Sequence, residues 1–457
     1  MSRCDRLLPR IPHRALLASA VVALVALSCP RLHAQNQGQA LGISTRAVGG
    51  VSIDPTGMLA DATVQDFGAL REDLRDMLTR VPGGLDRAVP LRKVSLRRLD
   101  EAIRQSLTDK PLGAEICVLG GLQQVRYVLV YPEQHDIVLV GPAEGWRVDD
   151  RGAIVGETTG RPVLLLDDLI VALRAAAAPK KSVISCSIDP SPEGIQRVNA
   201  FLKRQRGNAA AVAMGMEQQL GPQMVSVTGV PETSHYARVL VAADYQMKRI
   251  GMGTQAAPIR GLPSFMEMAR GSRGGGNMMP RWWLAPDYDP ILRDADGLAW
   301  ELRGGSVKAM AESDFIDATG VRQESRPADP ASQRWADAFT KRYDELAQAA
   351  PVFGELRNCM DLAVVAALIV GHRLTERAQV ELPMLMGSAG VRAAVFPAPK
   401  RVQSKATVAK KGRQWMIACG GVQINAWQMV ADADSNETLA DVRRDAAIAG
   451  QTDRWWD

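Results

Sequence analysis

Apolar side chains recur along this chain at two different spacings. Residues 95–108 carry them at the three- and four-residue steps of one helix face, at Leu96, Leu99, Ile103 and Leu107. Residues 184–188 alternate apolar and polar side chains, as a strand with one buried face does. Because both spacings recur along the chain, the sequence predicts an α+β (or α/β) fold with mixed sheets and packed helices.

Polar and turn-rich stretches divide this pattern into two or three associated blocks. Residues 35–180 form an N-terminal α/β block that ends with a helix before Pro179. Residues 181–321 form a central α/β block, which contains a predicted helix at 235–250. Residues 322–457 begin with a proline-containing linker at 322–331. They continue with a pair of helices, at about 331–349 and 352–373, and a β-hairpin. The segment 358–370 in that pair is so apolar that we expect burial on nearly all sides.

The first residues have the layout of a secretory signal peptide. Arginines precede the uncharged apolar stretch 15–27, and Ala34 stands before a polar segment. The apolar stretch is shorter than the about 20 residues that span a bilayer. The sequence therefore predicts a signal peptide over residues 1–34 and a periplasmic or secreted protein. An uncleaved membrane anchor and a lipoprotein attached through Cys29 are the alternatives.

The charge of the chain depends strongly on this leader. Residues 1–34 contain five arginines and one aspartate, so removing them lowers the formal net charge from +5 to about +1. A dedicated nucleic-acid binder needs a surplus of lysine and arginine facing phosphates, so we expect no nucleic-acid partner. After residue 34 the most apolar stretch is 362–370, which is too short to span a bilayer. The partner is unknown; an anionic ligand or a component of the cell envelope fits the composition.

Cysteine and acidic patterns predict neither a cofactor nor a metal site. Four cysteines follow the leader, with no CxxC spacing that would indicate a zinc ribbon, at Cys117, Cys186, Cys359 and Cys419. Cys186 and Cys359 lie in apolar surroundings, which favours buried thiols over a disulfide. The aspartates of residues 287–296 lack the glycine and glutamate positions of a calcium-binding loop.

Catalytic motifs are absent from the sequence. The chain contains no GxSxG, SxxK, HExxH or phosphate-binding loop. His135, His235 and His372 follow the leader and are far apart in sequence, so a multi-histidine metal site is not expected. Any histidine-based catalysis would need a partner from a distant segment.

The predicted helix 235–250 carries the best candidate site residues. His235, Arg238 and Arg249 fall on one face, opposite an apolar face that includes Tyr236 and Met247. Such a cationic stripe near a helix start could bind a carboxylate or phosphate. The alternative is an ordinary solvated helix face. Asp244 lies on a different side from His235, which argues against an acid–base pair formed within this helix.

Two adjacent tryptophans, Trp282 and Trp283, follow Arg281 in a predicted strand. Because side chains alternate in a strand, one tryptophan should be buried and the other should face outward. The outward ring is a candidate contact for a ligand, or an ordinary residue of the sheet face.

Several longer phrases resemble a family of secreted planctomycete proteins catalogued only as a domain of unknown function. They include VRYVLVYPEQHDIVLVGPAEGW (125–146), ISCSIDPSPEGIQR (184–197), VTGVPETSHYARVLVAADYQMKRIGMG (227–253) and ELRNCMDLAVVAALI (355–369). The resemblance covers most of the chain after residue 34 and implies export. It implies no activity and transfers no functional residues.

Two functions remain to be separated by the structure. The first is an exported envelope or periplasmic protein that acts as a non-catalytic binding or structural module. The second is a hydrolase-like enzyme of an unrecognised family with His235 as its base. A pocket that joins His235 to a carboxylate from another segment would favour the enzyme, and a flat surface would favour the binding module.

Overall fold

The computed structural model describes residues 47–457, except 79–80, 110–111, 205–207, 270–277, 305, 317–321, 327–328, 388–389, 409–414 and 448–453. The predicted signal peptide and the whole glycine-rich stretch 271–276 lie outside the described residues. All described residues belong to one compact unit, Gln39–Asp457. Within them, no helix combines the length and apolar character needed to cross a membrane.

The described residues form fifteen helices. They are α1 (Val64–Leu78), α2 (Leu96–Asp109), α3 (Ala114–Cys117), α4 (Leu166–Ala177), α5 (Pro192–Arg204), α6 (Ala209–Leu220), α7 (His235–Gly251), α8 (Phe265–Met268), α9 (Pro330–Lys341), α10 (Tyr343–Ala349), α11 (Pro351–Gly371), α12 (Leu374–Ala378), α13 (Pro383–Met386), α14 (Ala426–Met429) and α15 (Leu439–Asp445).

Twenty strands accompany these helices in the described part of the chain. They are β1 (Ala47–Val48), β2 (Val51–Ile53), β3 (Met58–Asp61), β4 (Val89–Ser95), β5 (Tyr127–Tyr131), β6 (Asp136–Ala143), β7 (Trp146–Val148), β8 (Ile154–Gly156), β9 (Ile184–Asp189), β10 (Gln223–Thr228), β11 (Met278–Asp287), β12 (Ile291–Arg293), β13 (Ala299–Glu301), β14 (Ser306–Ile316), β15 (Arg322–Arg326), β16 (Arg401–Val402), β17 (Thr407–Val408), β18 (Trp415–Met416), β19 (Cys419–Ile424) and β20 (Ala433–Ser435).

The strands form one large sheet, one six-stranded sheet and a hairpin of β7 and β8. The large sheet has the order β1-β2-β3-β16-β10-β9-β19-β11-β14-β15, with β17 and β18 paired beside β11. β3 pairs with β16 in parallel and β11 pairs with β19 in parallel, whereas β9 pairs with β10 and β19 in antiparallel fashion. The mixed sheets and packed helices confirm the predicted α+β class. The large sheet contains strands from all three predicted blocks.

Helices α7 and α11 form the centre of the core. α7 begins at the N-cap Ser234, whose hydroxyl accepts a hydrogen bond from the Ala237 N–H. It packs against β9 and β19 of the large sheet and against α4 and α11. α11 is buried from Val352 to Ile369 apart from Glu355, as the apolar content of 358–370 predicts. These contacts place the start of α7 beside the starts of α4 and α11.

Other local predictions have mixed outcomes. Trp282 is fully buried while Trp283 is half-buried, so the alternation predicted for this pair is confirmed. Cys186 and Cys359 are buried free thiols, also as predicted. The predicted linker at 322–331 is wrong in its first half, because 322–326 form strand β15 paired with β14. A run of polar residues can form a strand when it pairs at a sheet edge.

Candidate functional site

A cavity of about 250 Å³ lies where the starts of α4, α7 and α11 meet. The turn after β1 and helix α1 form one part of its wall, and the β7–β8 hairpin forms another. Most of the lining side chains are apolar, including Phe67, Leu70, Leu74, Ile154, Val163 and Phe396. A small number of polar groups converge in this apolar space, which is the usual composition of a small-molecule site.

His235 and Asp168 meet in the wall of this cavity. His235 is the first residue of α7, and Asp168 lies in the first turn of α4. The His235 Nδ1 atom lies 3.0 Å from Asp168 Oδ2 and 3.2 Å from Oδ1. Both side chains are largely buried, with exposed fractions of 13% and 6%. Within the described residues His235 forms hydrogen bonds through Nδ1 alone, so Nε2 remains for a ligand.

The charge of Asp168 determines the protonation of His235. Burial lowers the His235 pKa, but the charge of Asp168 and its hydrogen bond raise it more strongly, with smaller contributions from Glu355 and Asp167. The resulting pKa is about 9. The imidazolium is therefore the main form at neutral pH, even though a helix N-terminus disfavours a positive charge.

Glu355 and Asn358 add two oxygen atoms to the cavity from α11. They are three residues apart and therefore share a helix face. Within the described residues neither Glu355 Oε2 nor Asn358 Oδ1 has a hydrogen-bond partner. Burial raises the Glu355 pKa to about 7, although His235 opposes this change. The Glu355 side chain lines the cavity while its Oε2 atom is shielded from solvent, and a pKa of about 7 lets the carboxyl group exchange a proton near neutral pH.

The neighbouring carboxyl group of Asp167 binds a loop, whereas the Asp168 and Glu355 side chains line the cavity. Its Oδ2 atom accepts a hydrogen bond of 3.2 Å from the Ala394 N–H. Phe396 follows in the same loop, and its N–H donates to the Thr233 carbonyl at 2.7 Å. Burial raises the Asp167 pKa to about 6. This carboxyl group therefore fixes the loop that carries Phe396 onto the cavity.

The structure separates the three residues of the predicted cationic stripe. His235 lines the cavity, where Asp168 and Glu355 are its charged neighbours. Arg238 is only 1% exposed, and its guanidinium carbon lies 5.0 Å from the centroid of the Phe396 ring. Arg249 forms an ion pair with Asp61. The expectation that Arg238 lies on a face without packing is wrong, because α7 is surrounded by packed elements. The anion site itself stays a prediction.

A second ionic pair occupies the other end of α7. Lys248 Nζ donates to Asp244 Oδ2 at 2.8 Å and to the carbonyl oxygens of Ile188 and Gly420 at 3.0 Å each. Asp244 is fully buried, and burial raises its pKa to about 7 although Lys248 opposes this. The pair joins the helix to strands β9 and β19. As the sequence predicts, Asp244 lies away from His235.

Sequence reasoning missed the polar residues of the cavity other than His235, among them Asp168, Glu355 and Asn358. A signal for two of them was present, because Asp168 interrupts the apolar run 163–173 and Glu355 precedes the apolar segment of α11. Ionisable residues in apolar helices need partners when buried. Which partner each one meets depends on the packing of distant segments, and a single sequence does not contain that information.

A metal centre is not formed by these groups. Within the described ranges, His, Cys, Asp and Glu side chains make no group of three or more that could hold a metal ion. The described lining residues also include no serine, threonine, cysteine, tyrosine or lysine. The chemistry available at the cavity is therefore proton transfer and hydrogen bonding. His235, Asp168, Glu355 and Asn358 can contribute to it, and Asp61, Arg151, Gln246 and Gln255 also line the cavity.

Residues 186–265 match the family described as "Protein of unknown function (DUF1598)". The matched region contains all of α7, including His235, and excludes the positions of Asp168, Glu355 and Asn358. No curated protein and no solved structure matches the chain. The chain thus contains a DUF1598 domain, and this domain assigns no activity to the cavity.

Proposed function

We propose that the protein is a hydrolase-like enzyme for a small molecule, with His235 as its acid–base group. The observation that carries this proposal is the hydrogen bond between His235 and Asp168 in the wall of a cavity lined mostly by apolar side chains. The two residues come from helices separated by almost seventy positions in sequence. A histidine oriented by a carboxylate is a recurring arrangement for proton transfer in catalysis.

The raised pKa of His235 favours the role of acid over that of base in the first step. The imidazolium Nε2 donates its proton to the leaving group as the bond between that group and the substrate breaks, and a water molecule forms the new bond to the substrate. The neutral imidazole then takes a proton from that water and returns to its starting form. Water is the nucleophile in this proposal, and the described lining residues provide no competing hydroxyl, thiol or amine.

Substitution of His235 and Asp168 tests this proposal. A panel of small chromogenic esters, amides and phosphoesters would be screened with wild type, His235→Ala and Asp168→Asn. Two results together support the enzyme. His235→Ala should lose turnover, and the pH profile of turnover in Asp168→Asn should shift to lower pH, because removing the Asp168 charge lowers the His235 pKa. Glu345→Gln is a suitable control because Glu345 forms an exposed ion pair with Arg342, away from the cavity. Equal turnover by wild type and His235→Ala would contradict the proposal.

A non-catalytic binding module is the second candidate. The apolar wall favours it, since such a surface holds a ligand without reacting with it. Binding of small apolar compounds with no turnover of any member of the panel would favour this module over the enzyme.

We also propose that the protein is exported and acts in the periplasm or outside the cell. The support is the arginine-rich start and short apolar stretch of residues 1–34, together with the resemblance to secreted planctomycete proteins. N-terminal sequencing of protein from the cell envelope should give a start near Gln35. Full-length chains starting at Met1 in the cytosol would contradict export.

A further inference from the structure

We propose that the cavity binds a small primary ammonium compound with an apolar body, and that Glu355 and Asn358 hold its ammonium group. This inference rests on the proposed function in that it concerns the same cavity, and it names the class of substrate. It assigns to α11 the recognition of the ligand and leaves proton transfer to His235.

The unpartnered oxygens are the first part of the argument. Asn358 Nδ2 donates to the Pro162 carbonyl at 3.0 Å, which fixes the amide so that Oδ1 is the atom without a partner. Glu355 Oε2 lies one turn earlier on the same face and also has no partner within the described residues. Shielded acceptors without donors cost free energy, so a ligand that brings donors is favoured. A primary ammonium brings three donors and no acceptor.

The charges around the cavity point to a cation as the donor. The imidazolium of His235 is compensated by Asp168, and Asp61 at the rim is compensated by Arg249. Arg151 is exposed, where solvent screens its charge, and it donates to the Ala349 carbonyl. The negative charge of ionised Glu355 therefore remains uncompensated inside the cavity. A monovalent cation would neutralise it, whereas an anion would be repelled by Glu355.

The remaining wall accounts for the rest of the ligand. Leu70 and Leu74 of α1 and Ile154 of β8 form an apolar surface, and Phe396 contributes an aromatic ring. A hydrocarbon portion gains by leaving water for such a surface. An ammonium group at one end and a hydrocarbon portion at the other therefore fit the division of the lining into polar and apolar parts.

Three compounds of equal chain length test the inference directly. Hexylamine, hexanol and hexanoate would be titrated into the wild-type protein, with binding followed by isothermal calorimetry and by the shift in melting temperature. Hexylamine should bind at least about tenfold more tightly than hexanol, because a hydrogen bond to a charged group is the stronger kind. Equal binding of the amine and the alcohol would overturn the inference, as would preferential binding of hexanoate.

Glu355→Gln provides the matched variant, since it keeps the size of the side chain and removes its charge. It should weaken hexylamine at least about tenfold while leaving the affinity for hexanol near that of wild type. Glu345→Gln removes an exposed charge and should leave both affinities unchanged. Undiminished amine binding by Glu355→Gln would overturn the assignment.

Proton release gives an independent readout. Amine binding should lower the Glu355 pKa from about 7, so that wild type releases protons on binding near neutral pH. Calorimetry in buffers of different ionisation enthalpy measures this release, and Glu355→Gln should abolish it. Amine binding that depends on Glu355 supports the inference even if no amine is ever turned over, an outcome that contradicts only the proposed enzyme. Turnover of neutral compounds by a protein that binds no amine would contradict this inference and support the proposed enzyme.

Discussion

Helix α7 carries two buried ionic pairs whose surroundings differ. At its C-terminal end, Lys248 binds the carboxylate of Asp244 and two backbone carbonyl oxygens. At its N-terminal end, His235 binds Asp168 and faces a cavity in which Glu355 has an unpartnered oxygen. The first pair is surrounded by protein and fastens the helix to the sheet. The second leaves hydrogen-bonding capacity for a ligand. Asp244 Oδ1 also lacks a hydrogen-bond partner within the described residues, but Asp244 does not line the cavity, whereas Glu355 and Asn358 do. The comparison teaches that unsatisfied buried polar groups mark a site only where their side chains line a cavity.

Removal of Lys248 should have the largest effect on stability. Lys248→Met leaves Asp244 buried without a counter-charge and is expected to lower the free energy of unfolding by about 3–5 kcal/mol. Chemical denaturation at neutral pH measures this change. Asp244→Asn combined with Lys248→Met should recover part of the loss, because no unpaired charge then remains. A loss below about 1 kcal/mol in the single variant would show that the pair does not fasten the helix.

An apolar substitution in α11 separates packing from charge. Leu362 and Leu368 are fully buried, and replacing either with alanine should cost about 2–5 kcal/mol through lost burial and the cavity left behind. Thermal or chemical denaturation checks the value. Neither variant changes a charge, so both should retain the pH dependence of wild type. An unchanged melting temperature would contradict the burial of this helix.

Glu355→Gln should instead stabilise the protein above neutral pH. The folded-state pKa of about 7 exceeds the ordinary value of 4.5, so the contribution of Glu355 is full below about pH 4.5 and is lost as the pH rises to 7. Glutamine cannot ionise, and the variant should exceed wild type by about 1–3 kcal/mol at pH 8. Both proteins should be equally stable near pH 4.5. Denaturation curves across this range provide the measurement, and a destabilised variant at pH 8 would refute the account.

His235→Asn should change stability by the smallest amount and over a higher pH range. The His235 pKa rises from 6.5 to about 9 in the folded state, so its contribution is full below about pH 6.5 and disappears as the pH rises through 9. The variant should be less stable than wild type by about 1–2 kcal/mol at pH 6 and nearly equal to it above pH 9. A difference that does not vary with pH would show that the ion pair with Asp168 contributes nothing.

The sequence predicted the individual elements of α7 better than their surroundings. Helical spacing predicted α7, and the apolar content of 358–370 predicted that most of α11 is buried. The same spacing placed Arg238 on an unpacked face, because periodicity within one helix does not show how many neighbours surround it. The predicted continuous helix at 331–349 is two helices, α9 and α10, that meet at Arg342. No helix stop such as proline or glycine marks that boundary in the sequence.

The candidate site was predictable only in part. His235 was identified because few histidines follow the leader, and the need for a carboxylate from another segment was also clear. Asp168 and Glu355 were not identified, since their meeting with His235 depends on the docking of α4 and α11 against α7. The same limitation applies to the prediction of short strands such as β16. Its two residues form a strand only because β3 and β10 flank them. Contacts between distant segments were the missing information in each case.

The strand order of the large sheet also determines when the chain can fold during synthesis. β19 lies between β9 and β11, and β16 lies between β3 and β10, so residues 401–424 join strands made much earlier. Until those residues have been synthesised and, for an exported protein, translocated, the earlier strands remain as separate groups with unpaired edges. Contacts of such long sequence separation slow folding and expose strand edges meanwhile. A chain truncated before residue 401 therefore retains most of its apolar sequence but cannot complete the sheet.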